Sequence, residues 1–180
     1  MGNEQKVSWP EQAECIVPAS EVSAALDRQA QRLDAILPHD QPVTVVVMMN
    51  GGMYPAMQLT RRLQRPLRFE YVHATRYRGQ RTGGEIEWIH VPGPERLQGH
   101  LLLIDDIFDE GHTMQAVRDR LLRNGAGSVH SAVLALKRHD RGLSRDLVDD
   151  HALEVPDRYV FGCGMDLHGY WRQLDEIWAV

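Results

Sequence analysis

Cysteine and unbalanced charge are both scarce in this 180-residue sequence. The two cysteines, Cys15 and Cys163, form neither a CxxC pair nor the framework of a disulfide-rich domain. The formal net charge is −5, so the basic face of a nucleic-acid-binding protein is missing, and aromatic residues make up only 7%. We therefore expect neither a disulfide scaffold nor a nucleic-acid partner.

Long hydrophobic runs are also missing. None approaches the ~20 apolar residues that span a bilayer, so we expect no membrane association. The first residues, 1–6, are polar and lack the apolar core of a secretory signal. Together with the few cysteines, this predicts a cytoplasmic location. The length suits one hydrophobic core, which predicts a single domain over residues 1–180.

Apolar segments typical of strands recur along the chain. Nearly continuous apolar runs indicate strands buried on both faces of a sheet, and alternating ones indicate strands with one exposed face. Strands are predicted at residues 43–49, 67–71, 86–88, 101–104 and 129–136.

Segments of helical periodicity lie between these strands. The first has Ser20 as its candidate N-cap and ends before Pro38. A second follows Gly52, with Pro55 near its start, and a third is closed by Asn124-Gly125. The alternation of strands and helices predicts an α/β protein.

The stretch from 101 to 113 carries the strongest chemical signal. Four branched apolar residues run into Asp105 and Asp106, Asp109 follows, and Gly111 begins a turn into a helix. Acidic side chains at the carboxyl end of a parallel strand lie where open α/β sheets bind ligands.

The same stretch offers two kinds of ligand group. Backbone N–H groups of Glu110, Gly111, His112 and Thr113 can form an anion-binding nest at the helix start. Asp105 and Asp106 would repel phosphate but suit sugar hydroxyls and Mg²⁺, which prefers oxygen ligands. The pattern predicts a site for a phosphorylated, metal-bound sugar, and the alternative is an acidic, solvated loop.

The sequence Ile104-Asp105-Asp106-Ile107-Phe108-Asp109-Glu110-Gly111-His112-Thr113 resembles the phosphoribosyl pyrophosphate (PRPP) signature of type I phosphoribosyltransferases, in its hypoxanthine-guanine form. The resemblance implies that Asp105 and Asp106 hold the ribose hydroxyls and the PRPP-bound Mg²⁺. It implies that Asp109 is the general acid/base at purine N7, and that residues 110–113 bind the 5′-phosphate. The implied fold is an open, mostly parallel twisted sheet flanked by helices, with a core at about 40–145. A small hood would come from about 1–20 and 146–180.

A second turn, Asn50-Gly51-Gly52, also follows an apolar strand. Both turns can therefore open on the same sheet edge, where glycines let N–H groups approach an anion. An ordinary strand-to-helix turn is the alternative. In the family this loop usually ends Lys-Gly-Gly, binds pyrophosphate through main-chain amides and often contains a non-proline cis peptide. The resemblance implies the same role here, with Asn50 in place of lysine.

Three further residues take their expected roles from the resemblance. Lys137 would hydrogen-bond the purine 6-oxo group, which suits an ammonium because it has only donors. Asp157 would meet a second Mg²⁺ and the far edge of the purine. Counting back from Pro156 places His151 where the family has its purine-stacking aromatic, unless a shifted register puts that residue elsewhere. Taken alone, Lys137 is a solvated charge and Asp157 a turn residue.

The resemblance also implies that the polar segment 74–84, with Arg76, Arg78 and Arg81, is a lid over the site, and the alternative is a solvated hairpin tip. Taken together, the resemblance implies a purine salvage enzyme that uses Mg²⁺ to transfer the 5-phosphoribosyl group of PRPP to N9 of hypoxanthine or guanine, which gives IMP or GMP and releases pyrophosphate. The resemblance also implies a homodimer or homotetramer. A PRPP-binding regulator on the same fold and a transferase for xanthine are the alternatives. A phosphoacceptor receiver domain is disfavoured because its acidic pair follows the first strand.

Overall fold

The computed structural model describes residues 8–76 and 86–180. Three α-helices are present in these parts of the chain: α1 (Ala19–Ile36), α2 (Met53–Thr60) and α3 (His112–Arg123). The strands there are β1 (Glu14–Val17), β2 (Val43–Met49), β3 (Leu67–Arg76), β4 (Ile86–His90), β5 (Gly99–Phe108), β6 (Ala126–Lys137), β7 (Asp150–Val155), β8 (Val160–Phe161) and β9 (Ile177–Ala179).

Six strands form the main sheet in the order β4-β3-β2-β5-β6-β7. All neighbours are parallel except the edge strand β4, which is antiparallel to β3. After β2 the chain continues to β3 on one side of β2, and it later returns to the other side of β2 as β5. The carboxyl ends of β2 and β5 therefore border the crevice where such sheets bind ligands. This arrangement confirms the predicted open, mostly parallel sheet.

Helices cover both faces of this sheet, which explains the apolar run in β5. Successive side chains of a strand point to opposite faces. Leu102 and Ile104 accordingly pack in one core with α1 and α2, whereas Leu101 and Leu103 pack in the other with α3. Burial on both faces requires a strand without polar alternation, as the sequence shows.

The start of α1 and the extent of the core differ from the predictions. Pro18 is the N-cap of α1, and Ser20 lies inside the first turn, because the N–H groups of Glu21 and Val22 donate to the Pro18 carbonyl. β7 belongs to the main sheet, so the core continues past residue 145. The strand spacing could not show this because β7 is neither continuously apolar nor regularly alternating.

A separate small sheet joins the two ends of the described chain. Its order is β1-β9-β8, with antiparallel neighbours. Trp9 packs edge-on against Phe161, Trp171 and Trp178, with ring centroids 4.8 to 5.6 Å apart. These contacts hold the N-terminal segment against β8, β9 and the loop between them. No helix in the described ranges is long and apolar enough to cross a membrane.

Candidate active site

The two predicted turns meet at the carboxyl edge of β2 and β5. A side chain at Gly51 would collide with the carboxylate of Asp106, so only glycine allows this approach. Gly164, at φ +103°, packs against Cβ of the same aspartate and against the Gly51 carbonyl. The peptide bond between Met49 and Asn50 is cis, as the resemblance implied. A third segment, around Gly164, therefore joins the two turns that the sequence indicated.

Asp105 and Asp106 lie within β5, because the strand continues to Phe108 instead of ending at residue 104. Oδ1 of Asp105 accepts the N–H of Asp106 at 2.9 Å, and Oδ1 of Asp106 accepts the N–H of Ile107 at 2.7 Å. Burial raises the pKa of both carboxyls, and the charge of Asp106 raises the pKa of Asp105 further. A hard cation would relieve this cost and takes oxygen ligands, so the pair fits the predicted Mg²⁺ role.

Asp157 does not join this acidic pair. Among residues 8–76 and 86–180, no three His, Cys, Asp or Glu side chains form a group that could hold a metal ion. Asp157 is instead in a two-pronged ion pair with Arg141, at 2.5 and 2.7 Å. The Arg141 guanidinium lowers the pKa of the Asp157 carboxyl. Both Asp157 oxygens therefore accept hydrogen bonds from a guanidinium, and the metal role of this residue stays a prediction.

The structure brings Asp166 and Arg172 to the acidic pair, and the sequence analysis missed both. Arg172 Nη2 donates to Asp166 Oδ1 at 2.6 Å, and its Nη1 lies 3.9 Å from Asp106 Oδ2. The same Nη1 donates to the Gly164 carbonyl at 2.7 Å. The available signal was the Gly162-Cys163-Gly164 run, in which all three residues have positive φ. This loop gives the site its nearby cation.

Asp109 lies between two basic side chains at the end of β6. Lys137 Nζ donates to Asp109 Oδ2 at 2.8 Å, and His139 Nε2 lies 2.6 Å from Asp109 Oδ1. Burial acts to raise the pKa of Asp109, but the hydrogen bonds from Lys137 and His139 outweigh it and lower the pKa. These residues line a pocket of about 280 Å³ that Arg141 and Arg145 also border.

The turn after Asp109 has the geometry of a helix start. Gly111, at φ +80°, is the N-cap of α3, so His112 and Thr113 occupy its first turn. A side chain on Gly111 would collide with the Phe108 ring. The Glu110 carbonyl accepts the N–H of Leu143 at 2.9 Å. The four residues predicted to bind phosphate thus surround one helix N-terminus, where backbone N–H groups favour anions.

His151 lies away from the Lys137 pocket. It is opposite Val133 in the sheet, four residues before Val155, which is opposite Lys137. At the rise of a strand this separation is about 13 Å. Its carbonyl accepts a hydrogen bond from Arg32 at 2.7 Å. The structure therefore does not bring His151 to this pocket, because the residues between it and Pro156 belong to β7 and run away from the site.

The predicted lid falls largely outside the described residues. Arg76 is the last residue of β3, and residues 77–84, with Arg78 and Arg81, are not among those that the structure describes. The lid remains a prediction.

A glycine turn, an acidic pair and a helix N-terminus meet at the crossover point of the sheet, which defines an α/β protein with a ligand site at that edge. Residues 14–168 match the family model of the phosphoribosyl transferase domain. The chain belongs to this family, within its type I hypoxanthine-guanine branch.

Relatives and solved structures agree with this placement. The chain is 25% identical to the hypoxanthine-guanine phosphoribosyltransferase of Aquifex aeolicus, over 92% of this chain and 93% of the relative. It is 26% identical to the hypoxanthine-guanine phosphoribosyltransferase of Leishmania donovani, over 98% of this chain and 88% of the relative. The hypoxanthine phosphoribosyltransferase of Trypanosoma cruzi, in complex with the product IMP, superimposes with a TM-score of 0.82 at 21% identity, over 97% of each chain. The hypoxanthine phosphoribosyltransferase of Staphylococcus aureus superimposes with a TM-score of 0.83 at 19% sequence identity, over 93% of this chain and 90% of that chain. The two structures support the fold.

The contact between Gly51 and Asp106 gives a direct test of the site. In Gly51→Ala the new methyl group would displace the Asp106 carboxylate. The aspartate side chain is short and its Oδ1 accepts the Ile107 N–H, so it cannot move aside without losing this bond. We expect kcat/KM for PRPP to fall by roughly 100-fold, the scale of a small misplacement in an active site. Steady-state kinetics with varied PRPP measures this.

Gly93→Ala is the matched control. Gly93 has a φ of −63°, and the three atoms nearest to an added Cβ all belong to the carboxyl tip of the exposed Glu95 side chain. An equal loss in the two variants, or an unchanged kcat/KM in Gly51→Ala, would contradict the placement of Asp106 in the site.

Proposed function

We propose that this protein transfers the 5-phosphoribosyl group of PRPP to N9 of a 6-oxopurine, hypoxanthine or guanine. The products would be IMP or GMP and pyrophosphate. The observation that carries the proposal is the pairing of Lys137 Nζ with Asp109 Oδ2 at 2.8 Å, on the wall of a pocket at the carboxyl edge of the sheet.

This pair complements one edge of a 6-oxopurine. O6 and N7 are adjacent on that edge, and O6 accepts hydrogen bonds. Lys137 has three donors and uses one on Asp109, so two can reach O6. Asp109 retains free lone pairs that can accept a proton held at N7. Adenine presents an amino group in place of O6, and its donors would face the donors of Lys137.

The remaining site residues would each bind a different part of PRPP. The N–H groups at the start of α3, from residues 110–113, suit the 5′-phosphate. In the turn Asn50-Gly51-Gly52, the main-chain amides of Asn50 and Gly51 suit the pyrophosphate, next to the Arg172 guanidinium, whereas the Gly52 N–H donates to the Met48 carbonyl at 2.8 Å. Asp105 and Asp106 suit the ribose hydroxyls and Mg²⁺. When bound, Mg²⁺ would neutralise charge on the departing pyrophosphate.

The reaction then needs one proton acceptor. As pyrophosphate leaves C1′, positive charge develops on the ribose and N9 approaches it. Asp109 takes the N7 proton as this bond forms, which makes the base a better nucleophile. The lowered pKa of Asp109 keeps the carboxylate ionised before the proton arrives.

Tyr159 is our candidate for the ring that stacks on the base, in place of His151. It lies two residues after Asp157, which Arg141 holds beside the pocket, and its ring is about half exposed. An exposed aromatic ring is what stacking on a base requires. The family resemblance implied an aromatic residue in this role, which Tyr159 supplies and the counted position, His151, does not.

Xanthine is the second candidate base. Arg141 and Arg145 border the pocket, and Arg141 uses two of its five donors on Asp157. The free donors suit a second oxo group. A cytoplasmic location and a homodimeric or homotetrameric assembly remain predictions from the sequence.

Removing the Lys137 ammonium tests base recognition. In Lys137→Met we expect kcat/KM for hypoxanthine and guanine to fall by about 10 to 100-fold, the loss of one charged hydrogen bond. The affinity for PRPP, measured by calorimetry, should stay within about twofold because, of the two substrates, only the base is proposed to contact Lys137. Arg138→Met is the control. Arg138 is the next residue in the chain, its side chain is 60% exposed, and its Nε lies 3.9 Å from Glu154 Oε2. Equal losses in both variants would argue against the assignment.

A further inference from the structure

His139 is a buried histidine next to the proposed general base, Asp109. Its side chain is 6% exposed, and its Nε2 lies 2.6 Å from Asp109 Oδ1. Lys137 occupies the other oxygen of the same carboxylate. Asp109 is therefore held from two sides, by one residue expected to touch the base and by one that lies behind it.

The backbone fixes which ring nitrogen of His139 carries the proton. The N–H of Arg141 donates to Nδ1 at 3.1 Å, so Nδ1 must present its lone pair. The single proton of the neutral ring then lies on Nε2 and points at Asp109. Arg145 Nη2 donates to the His139 carbonyl at 2.9 Å, which holds the backbone of the same residue.

The loop that carries His139 is anchored to the turn that carries Asp109. The N–H of Leu143 donates to the Glu110 carbonyl at 2.9 Å, and the positive φ of Gly142 allows its close packing on Glu110. The orientation of the imidazole is thus set relative to Asp109 by main-chain contacts on both sides. Such support is what holds a catalytic group in one geometry.

We propose that His139 is a positioning residue for Asp109, an inference that rests on the proposed function. By donating Nε2–H to Oδ1, it fixes the rotation of the carboxylate so that a free lone pair faces purine N7. In the reaction, the N9–C1′ bond forms and the bond from C1′ to pyrophosphate oxygen breaks. The N7 proton passes to Asp109, and His139 keeps its own proton throughout.

The hydrogen-bonding and charged groups around Asp109 determine the expected pH response. Lys137 and His139 contact its oxygens, and Arg141 Nη2 lies 4.0 Å from Oδ1, while the Glu110 carboxylate follows on the same turn. The His139 hydrogen bond is one of the causes that lower the pKa of Asp109. Its removal should raise that pKa and move the acidic limb of the kcat/KM profile to higher pH.

The experiment compares His139→Leu and His139→Gln with the wild-type protein over a range of pH. His139→Leu keeps the bulk but has no donor, and we expect kcat to fall about 10-fold, with the acidic limb at higher pH and the KM for PRPP unchanged. His139→Gln can present an amide donor near the Nε2 position and should recover part of both effects. His39→Leu is the matched control. His39 is exposed, and its ring contacts Arg65 in the hydrogen bonds of the described residues, so this variant should behave as wild type.

Histidine NMR of the wild-type protein gives a readout that needs no activity, and it should show His139 protonated at Nε2 alone. Protonation at Nδ1, or a His139→Leu profile that matches wild type, would overturn the proposal. Equal losses in the Leu and Gln variants without a pH shift would also overturn it. A wild-type protein inactive with every base, but with the Nε2 signal present, would count against the proposed function instead.

Discussion

Asp109→Asn should lower kcat by about 10² to 10⁴-fold, the usual contribution of a general base. The amide keeps the shape of the carboxylate and one acceptor oxygen, but it cannot take a proton from N7. The side chain is 43% exposed and lies outside both cores, so its ion pairs contribute at most about 1 kcal/mol to stability. Steady-state kinetics and thermal unfolding should therefore separate, with a large loss of activity and little change in melting temperature.

Asp119→Asn provides the comparison for this variant. Asp119 is an exposed residue of α3, away from the pocket lining, and its neutralisation should change neither property. Turnover of Asp109→Asn within about threefold of wild type would remove Asp109 from its general-base role.

Asp105→Asn is expected to lose activity and gain stability at neutral pH. The substitution removes a charge proposed to hold the ribose hydroxyls and metal, so kcat/KM for PRPP should fall by at least ~100-fold. Its amide oxygen can still accept the Asp106 N–H. Burial, together with the charge of Asp106, raises the pKa of Asp105, so ionising this group costs folding free energy. Active sites commonly carry such a stability cost.

The sign of the pH dependence follows from the raised pKa. A carboxyl whose pKa is higher in the folded state than in the unfolded state favours folding at low pH, and this contribution is lost as the pH rises through the folded pKa. The melting temperature of Asp105→Asn should therefore exceed that of wild type by an amount that grows with pH. In a chain of this size, 1 kcal/mol corresponds to roughly 2–4 °C.

Thermal unfolding of both proteins between acidic and neutral pH measures this difference. Asp119→Asn should show no comparable trend. A variant less stable than wild type at pH 7, or a difference independent of pH, would contradict the electrostatic account of Asp105.

The sequence predicted those parts of the site that depend on local pattern. Asp105, Asp106 and the glycine turn at residues 50–52 follow apolar strands, and parallel strands bring their carboxyl ends to one edge. The two turns therefore had to meet if the strands were neighbours, and β2 and β5 are neighbours.

Pairing between distant residues could not be predicted in this way. The Asp157 position matched the family pattern, but its ion pair with Arg141 depends on how two loops pack. His139 and Arg172 also reach their carboxylates from other loops. A count of residues assumes a uniform path, and the structure does not bring His151 to the pocket because the chain between that residue and Pro156 forms an extended strand of the main sheet.

Incubating the protein with PRPP, Mg²⁺ and each purine base separately, and following nucleoside monophosphate and pyrophosphate, tests the proposed transfer reaction. We expect turnover with hypoxanthine or guanine and none with adenine, since the donors of Lys137 face the 6-position. Turnover with adenine would contradict this assignment of Lys137. Measurable PRPP binding without turnover on any base would contradict the enzymatic account and indicate a regulator that retains the sugar-phosphate site.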